Sequence, residues 1–427
     1  MIQYRHFRKH LAATLVAAVL PIAAASPAQN LFDQATRYFS IIYYGYSSAP
    51  YQAFASKYQS DLDAACSGKG DACPFDAAVP LVQKMVAELN DKHTYYLTPD
   101  ANADRQRAQA GLGSEKPKIG VTLGEVTGSN DVVIVDVIEG GPGQRAGLAR
   151  GDRVSSVNGT AASTFKTPLE FRQALIAAVG EGKAVRLLVS RGGAAPRELA
   201  VTGEVIAVAA MPSLRYIPNN LAVLRIPSFQ SVGKVAQRVH DLVREAQERG
   251  VAGLILDMRD NGGGAVTDMI ATAGAFLPNV GFIESYKDGS TITQWQDGRI
   301  SRGEGAGFFR INRPALWTGP LVVLINSRSG SAPEYVAQFI QDAKRGIVIG
   351  EATAGVANTI VQSFPLPDRG ALTVTIGRSL RLDRTPLPEK VNPDRSVKDD
   401  LDVLASTGQD LVLEAAIKEF ATSQANR

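Results

Sequence analysis

After Pro218, apolar strand-like runs and amphipathic helical runs take turns along the chain, and this alternation restricts the fold more than any other feature. Leu221 to Ile226 reads as a strand. Val235, Val239, Leu242, Val243 and Ala246 form one helical face ended by Gly250, and Leu254-Ile255-Leu256 reads as a buried strand. A helix over Val266 to Leu277, a strand over Leu321 to Ile325, a helix over Tyr335 to Ile340 and a strand over Ile347-Val348-Ile349 continue the series. Such alternation predicts a largely parallel sheet with right-handed crossovers. Chemistry in such sheets gathers outside the carboxyl ends of the strands.

A chain of 427 residues is too long for one core, and the rest of it has a different rhythm. From Leu31 to Asp100 the pattern is helical, with Val79, Val82, Val86 and Leu89 on one stripe. Residues 101–117 are polar and glycine-containing, and read as a linker or an exposed helix. Short strands then alternate with glycine turns: 119–123, 132–138, 153–157, 185–190 and 198–205. One helix interrupts them at Thr167-Pro168-Leu169-Glu170, a capping-box start with proline in the first turn. With 45% hydrophobic and 20% charged residues, the composition excludes collagen, coiled coil and wholesale disorder.

Residues 1–28 carry Arg5, Arg8 and Lys9, an apolar run from Leu11 to Leu20 and the small residues Ala23-Ala24-Ala25-Ser26-Pro27-Ala28. This is the anatomy of a secretory leader, with cleavage expected near Ala28 and no stable membrane span afterwards. Export to the periplasm or the extracellular space follows. Without the three leader cations, 45 basic residues become 42 against 42 acidic ones, so nucleic acid is not an expected partner. Cys66 and Cys73 are the only cysteines; in an exported chain a local disulfide is the expected reading, beside free thiols or half of a metal site.

The segment Lys118-Ile119-Gly120-Val121-Thr122-Leu123, followed by Gly140-Gly141-Pro142-Gly143-Gln144-Arg145-Ala146-Gly147-Leu148, Gly151-Asp152-Arg153-Val154 and Val157-Asn158-Gly159, resembles a PDZ domain of the bacterial protease type. The resemblance covers 118–206. It implies a sheet edge that holds an extended peptide, with Ile119, Gly120 and Val121 forming the loop that captures a terminal carboxylate. The simpler alternative is that Gly120 only bends an edge strand.

Three further segments carry chemistry. Asp257-Met258-Arg259-Asp260-Asn261-Gly262-Gly263-Gly264 follows a buried strand and precedes a helix. It lacks the Lys-Ser/Thr ending of a P-loop and the spacing of a dinucleotide fingerprint, so its N–H groups suit an oxyanion hole better than a phosphate. Asn326-Ser327-Arg328-Ser329-Gly330-Ser331-Ala332-Pro333-Glu334 also joins a strand to a helix. Ser331 with Glu334 makes a capping box, yet a serine at a helix start also suits a nucleophile, because the N–H of Ala332 faces developing negative charge. The third segment is Glu88-Leu89-Asn90-Asp91-Lys92-His93-Thr94-Tyr95-Tyr96-Leu97. A serine needs a base, and beyond the leader only His93 and His240 are histidines; His240 reads as a partly exposed helix residue.

In order and spacing, these segments resemble the S41 serine proteases, which include the bacterial carboxyl-terminal processing proteases and the core of the tricorn protease. The resemblance implies a multidomain α+β chain: leader 1–28, N-terminal helical domain 29–105, PDZ domain 118–206 and a crotonase-like α/β serine peptidase core over 207–422. It assigns Ser331 as nucleophile and Gly263 and Ala332 as oxyanion donors. The processing proteases pair their serine with a lysine in a Gly-Lys-Gly turn. Here that turn reads Gly355-Val356-Ala357-Asn358-Thr359-Ile360-Val361-Gln362, with Val356 or Asn358 at the lysine position, and neither accepts a proton.

Tricorn-like members instead use a histidine from the helical segment and a late glutamate. His93 fits the first, and Glu389-Lys390-Val391-Asn392-Pro393-Asp394 matches the late Glu-x-x-x-Pro-Asp pattern, unless Glu389 is only a solvated loop carboxylate. Lys92 stands where the tricorn-like proteins have an assisting serine. An imidazole suits general-base work at neutral pH, with Glu389 orienting or stabilising it. The expectation is an exported serine endopeptidase with Ser331, His93 and Glu389 as its catalytic residues, its PDZ domain presenting the C-terminal tails of protein or peptide substrates, and no metal or cofactor. The alternative is a catalytically inactive, peptide-binding relative.

Overall fold

The structure, a computed structural model, describes residues 25–180, 182–206, 209–305 and 307–425. The leader assigned to 1–28 lies almost wholly outside the described residues. Its expected end falls inside the first helix, Pro27–Ile42: Ser26 caps that helix by accepting the Gln29 N–H, and Ala28 is fully buried, its N–H donating to the Cys73 carbonyl.

The parallel sheet is present. Its strands run in the order 395–396, 347–350, 321–325, 253–257, 221–225 and 213–217, each pair parallel except the last. Gly253–Asp257 is buried at every residue, as a strand covered on both faces must be. One face carries the helices Val235–Glu248, Val266–Ala273 and Ala332–Asp342; Val412, Ala416 and Phe420 of the last helix cover the other.

A second sheet, seven-stranded and antiparallel, was not expected. It includes Asn279–Tyr286, Gly289–Gln296, Thr359–Pro365 and Ala371–Leu380. The N-terminal helices Pro27–Ile42, Phe54–Ala65 and Val79–Leu89 pack on it: Leu31, Phe32, Phe39 and Met85 share one core with Leu366, Leu372 and Val374. The short strand Tyr95–Leu97 pairs with Ala371–Thr373, so the helical segment is stitched into the sheet. Within the helical segment Cys66 and Cys73 are joined as a disulfide. The polar stretch after residue 100 belongs mostly to a helix, Pro99–Gln109, capped by Thr98.

Residues 121–202 form the expected mostly β domain, a six-stranded antiparallel sheet with the helix Pro168–Ala178 against it and a core of its own that includes Val132, Ile134, Phe171 and Leu187. Among the described residues no helix is long and apolar enough to cross a membrane.

Candidate active site

Three loops leave the carboxyl ends of adjacent parallel strands and close around Ser331: 258–265, 326–331 and 351–358. They are laced together. Gly330 N–H donates to the Asn261 carbonyl at 2.9 Å, Ala354 N–H to the Ser329 carbonyl at 3.0 Å, and Ser329 Oγ to the Met258 carbonyl at 2.9 Å. Buried Asn326 joins the first two loops, accepting the Asp260 N–H at 3.0 Å and donating to the Asp260 and Asp399 carboxylates.

Ser331 is the N-cap of its helix, with φ 64° and ψ −114°. A non-glycine residue in that region is strained, and strain of this kind clusters at functional turns. Two contacts over-determine it. The Ser331 N–H donates to Glu334 Oε2 at 2.6 Å, and Gly263 lies so close that a Cβ on it would stand 2.8 Å from Ser331 Cβ and 3.2 Å from Oγ.

Glu334 is wholly buried and also accepts the N–H groups of Gly355 at 2.9 Å and Val356 at 3.0 Å and the Thr353 hydroxyl. Burial pushes its carboxyl up, against the pull of these donors. One carboxylate thus fixes the serine and the 353–356 turn together, a role that the capping-box reading of Glu334 alone did not contain.

The turn that carries lysine in the processing proteases does lie at the serine. A Cβ on Gly330 would be 3.1 Å from Val356 Cγ2, which puts Val356 beside the residue that precedes Ser331. No proton acceptor is supplied there. Glu389 is close to the same turn, 3.4 Å from a Cβ on Gly355, and its Oε1 is 3.5 Å from Lys92 Nζ.

His93 sits one residue from that ion pair, in a tight turn after the helix Val79–Leu89. Asn90 leaves the helix in the left-handed region at φ 49°, and the Asp91 carboxylate accepts the His93 N–H at 3.0 Å, an Asx turn. The ring folds back on the same carboxylate, with Nδ1 3.0 Å from Asp91 Oδ1. Nε2 is buried without a hydrogen-bond partner among the described residues. No hydrogen bond joins His93 to Ser331 or Glu389 among those residues, so the expected trio is not a bonded chain.

Two further expectations change. The Gly263 N–H, expected in an oxyanion hole, is engaged at 2.9 Å by buried Asn261 Oδ1, because asparagine two residues ahead of a glycine bonds the backbone locally. Ala332 keeps the expected place at the first helical position, whose N–H has no intrahelical acceptor. His240 is not partly exposed. It is fully buried, its Nε2–H donating to the Ala271 carbonyl at 2.9 Å while Nδ1 accepts the Ala315 N–H at 3.0 Å, and its ring stacks on Trp295.

In the β domain, Val121–Glu125 is an edge strand facing the helix Pro168–Ala178. Gly120 has φ 73°, its carbonyl accepts the Ile138 N–H, and the Ile119 and Gly120 N–H groups have no backbone acceptor among the described residues. A cavity of about 1390 Å³ opens there, bounded by Ile119, Val121, Leu175 and Ile176 on one side and by Arg225 and Asp260 of the core on the other. Sequence reading missed what ties this domain to the site loops. Arg225 donates to Asp136 at 2.7 Å, and Arg150 reaches Asp399 at 3.0 Å and Asp410 at 3.1 Å. Arg259 binds Asp257, Asp399 and Asp410 in the same buried cluster.

Residues 220–397 match Peptidase family S41, and residues 133–191 match the PDZ domain. The chain carries an S41 peptidase domain. Among relatives of this chain, the carboxyl-terminal-processing peptidase 2, chloroplastic, of Arabidopsis thaliana is 28% identical over 309 residues, covering 70% of this chain and 56% of the relative. A carboxyl-terminal-processing protease of Synechocystis is 27% identical, covering 70% and 65%. The match thus spans less than two thirds of either relative. Two solved structures share the chain's fold: a candidate S41 protease from Bacteroides fragilis NCTC 9343, with TM-score 0.56, 17% identity and coverage of 80% and 90%, and a lipoprotein from Streptococcus agalactiae, with TM-score 0.52, 13% identity and coverage of 96% and 100%.

Proposed function

We propose that this chain is an exported serine endopeptidase that cleaves protein or peptide chains presented by their free carboxyl termini. The strained Ser331 turn carries the reading: a serine at a helix N-terminus, at the carboxyl edge of a parallel sheet, with Gly263 pressed against its side chain. Ser331 is the nucleophile, the Ala332 N–H stabilises the oxyanion, and His93 is the base, since Val356 leaves the lysine position without one. Glu389 contributes a rim carboxylate beside Gly355. The Ile119-Gly120-Val121 loop takes the substrate's terminal carboxylate in the PDZ groove. Periplasmic or extracellular location is supported by the Cys66–Cys73 disulfide, a bond favoured in oxidising compartments.

The second reading, a peptide-binding protein without catalysis, is favoured by the Gly263 N–H being engaged by Asn261 and by the absence of a Ser331–His93 bond among the described residues. One experiment separates the two. Peptides ending in a free carboxylate or in an amide are incubated with the protein and with its Ser331→Ala variant. Cleavage that prefers the free acid and vanishes in the variant is the expected result; binding without cleavage in both proteins would establish the second reading.

A further inference from the structure

We propose that Asp91, rather than Glu389, is the positioning carboxylate for His93. The inference rests on the reading of Ser331 as nucleophile and His93 as base, and names the group that orients that base. Three observations carry it. First, the Asp91 carboxylate holds His93 twice, through the backbone N–H and through Nδ1, both at 3.0 Å. Second, Asp91 is itself fixed by the Thr94 hydroxyl at 3.0 Å and the Thr375 hydroxyl at 2.6 Å, so the carboxylate is anchored to the sheet before it meets the ring. Third, Glu389 is directed elsewhere. Its charge is paired with Lys92 at 3.5 Å, with both side chains more than half exposed, whereas the Asp91 side chain is 8% exposed.

The chemistry follows from the ring's two nitrogens. An ionised carboxylate is an acceptor only, so Asp91 selects the tautomer with the proton on Nδ1 and leaves Nε2 with its lone pair. Nε2 is the buried atom that lacks a partner among the described residues. In the acylation step the Ser331 O–H proton passes to Nε2 as Oγ bonds to the scissile carbonyl carbon. The proton is then handed to the departing amine as the C–N bond breaks. The Nδ1 proton stays on the ring, and Asp91 stabilises the imidazolium without being protonated. Burial pushes the Asp91 carboxyl up, but its bonds from His93 and Thr375 prevail and hold it below the usual carboxylate range, which keeps it ionised for this task.

The tautomer is read without a variant, from ring ¹⁵N shifts of the histidine-labelled protein. His93 is expected as the Nδ1–H form, against the Nε2–H form that His240 takes from its two backbone bonds. An Nε2–H form at His93 would overturn the proposal. The kinetic test is the rate of Ser331 labelling by a fluorophosphonate, followed by intact mass. Ser331→Ala and His93→Ala are expected to give no adduct, Asp91→Asn to slow labelling about 100-fold or more, and Glu389→Gln to slow it less than about tenfold.

In Asp91→Asn the His93 ring is also expected to lose its preference for the Nδ1–H form, because an amide can donate as well as accept. A merely structural role for Asp91 would lower the rate with the tautomer unchanged. If His93→Ala labels at the wild-type rate, the base reading itself fails. If His93 is required but Asp91→Asn labels normally and Glu389→Gln does not, only the assignment of Asp91 fails.

Discussion

Ser331 holds a backbone conformation that only close neighbours can impose, and the glycines beside it are where that pressure is applied. Gly263 at φ 97° leaves no room for a methyl group against Ser331 Cβ and the Gly330 carbonyl, both 2.8 Å from where a Cβ would be. Gly263→Ala is therefore expected to keep the fold, by circular dichroism, while losing the fluorophosphonate adduct. Gly264, at φ 150°, would place a Cβ 2.1 Å from the Phe229 carbonyl carbon, so Gly264→Ala should destabilise the protein itself, by about 3 kcal/mol in urea unfolding. His240 makes a separate prediction. Burial pushes its imidazole down, the nearby Ala271 and Ala315 carbonyls offsetting only part of this, so below its ordinary pKa near 6.5 protons bind the unfolded chain preferentially. Stability is thus present above that pH and is lost as pH falls from 7 towards 5. His240→Gln is expected to flatten that stretch of the stability profile measured by urea titration. At this scale the motifs singled out Ser331 and His93 through their settings, a glycine-flanked helix start and a turn after a helix. Glu334 and Asp91 were visible as neighbours without roles: nothing in local spacing says that one carboxylate will collect donors from a loop twenty residues away.

Elements buried on both faces could be read, and elements with a solvent face were overlooked. The apolar runs 221–225, 253–257 and 321–325 announce themselves as strands. Gly289–Gln296 does not, since only Thr293 and Trp295 of its eight residues are buried. The available signal lay in the turns: Asp288-Gly289 and Asp297-Gly298 each end a strand where a hairpin reverses. The expected end of the leader overlaps the first helix for a similar reason, because Ser26-Pro27 resembles the tail of a leader and is also a helix start. If export removes the leader, cleavage after Ala25 preserves the Ser26 cap and the buried Ala28, and a mature protein beginning at Ser26 is the expected intact mass. The three loops at the sheet's carboxyl edge depend on Arg259, whose side chain is 3% exposed among Asp257, Asp399 and Asp410. Burial opposes its charge, yet those carboxylates hold the guanidinium more firmly protonated than usual. Arg259→Leu removes the most buried cation of the cluster, leaving Arg150 and Arg225 to neutralise it only in part, and is expected to cost about 3–5 kcal/mol in urea unfolding.

For the whole molecule, the sequence boundaries separate three units that the packing treats unequally. The PDZ domain has a core drawn entirely from its own residues, Ile119 to Val201; cut free, it loses the cover that Leu401 and Ala405 give to Val133 and Val135 and the ion pairs that Asp136 and Arg150 make with the core. The helical segment and the peptidase core have no such independence, since Leu366, Leu372 and Val374 are buried by the N-terminal helices. Exposing three aliphatic side chains of this size forfeits about 5–8 kcal/mol, a sum comparable to the whole stability of an ordinary domain. The break in sequence rhythm between the helical and α/β segments therefore marks a change of element type and not an independent folding unit. A fragment of residues 113–206 is expected to unfold in one cooperative thermal transition. A fragment of residues 209–425 alone is expected to bind hydrophobic dye and show no such transition, and to recover it when residues 25–112 are supplied on a second chain. A sharp transition in the isolated 209–425 fragment would mean that the antiparallel sheet closes without its helices, and that the shared core is a docking surface rather than a requirement for folding.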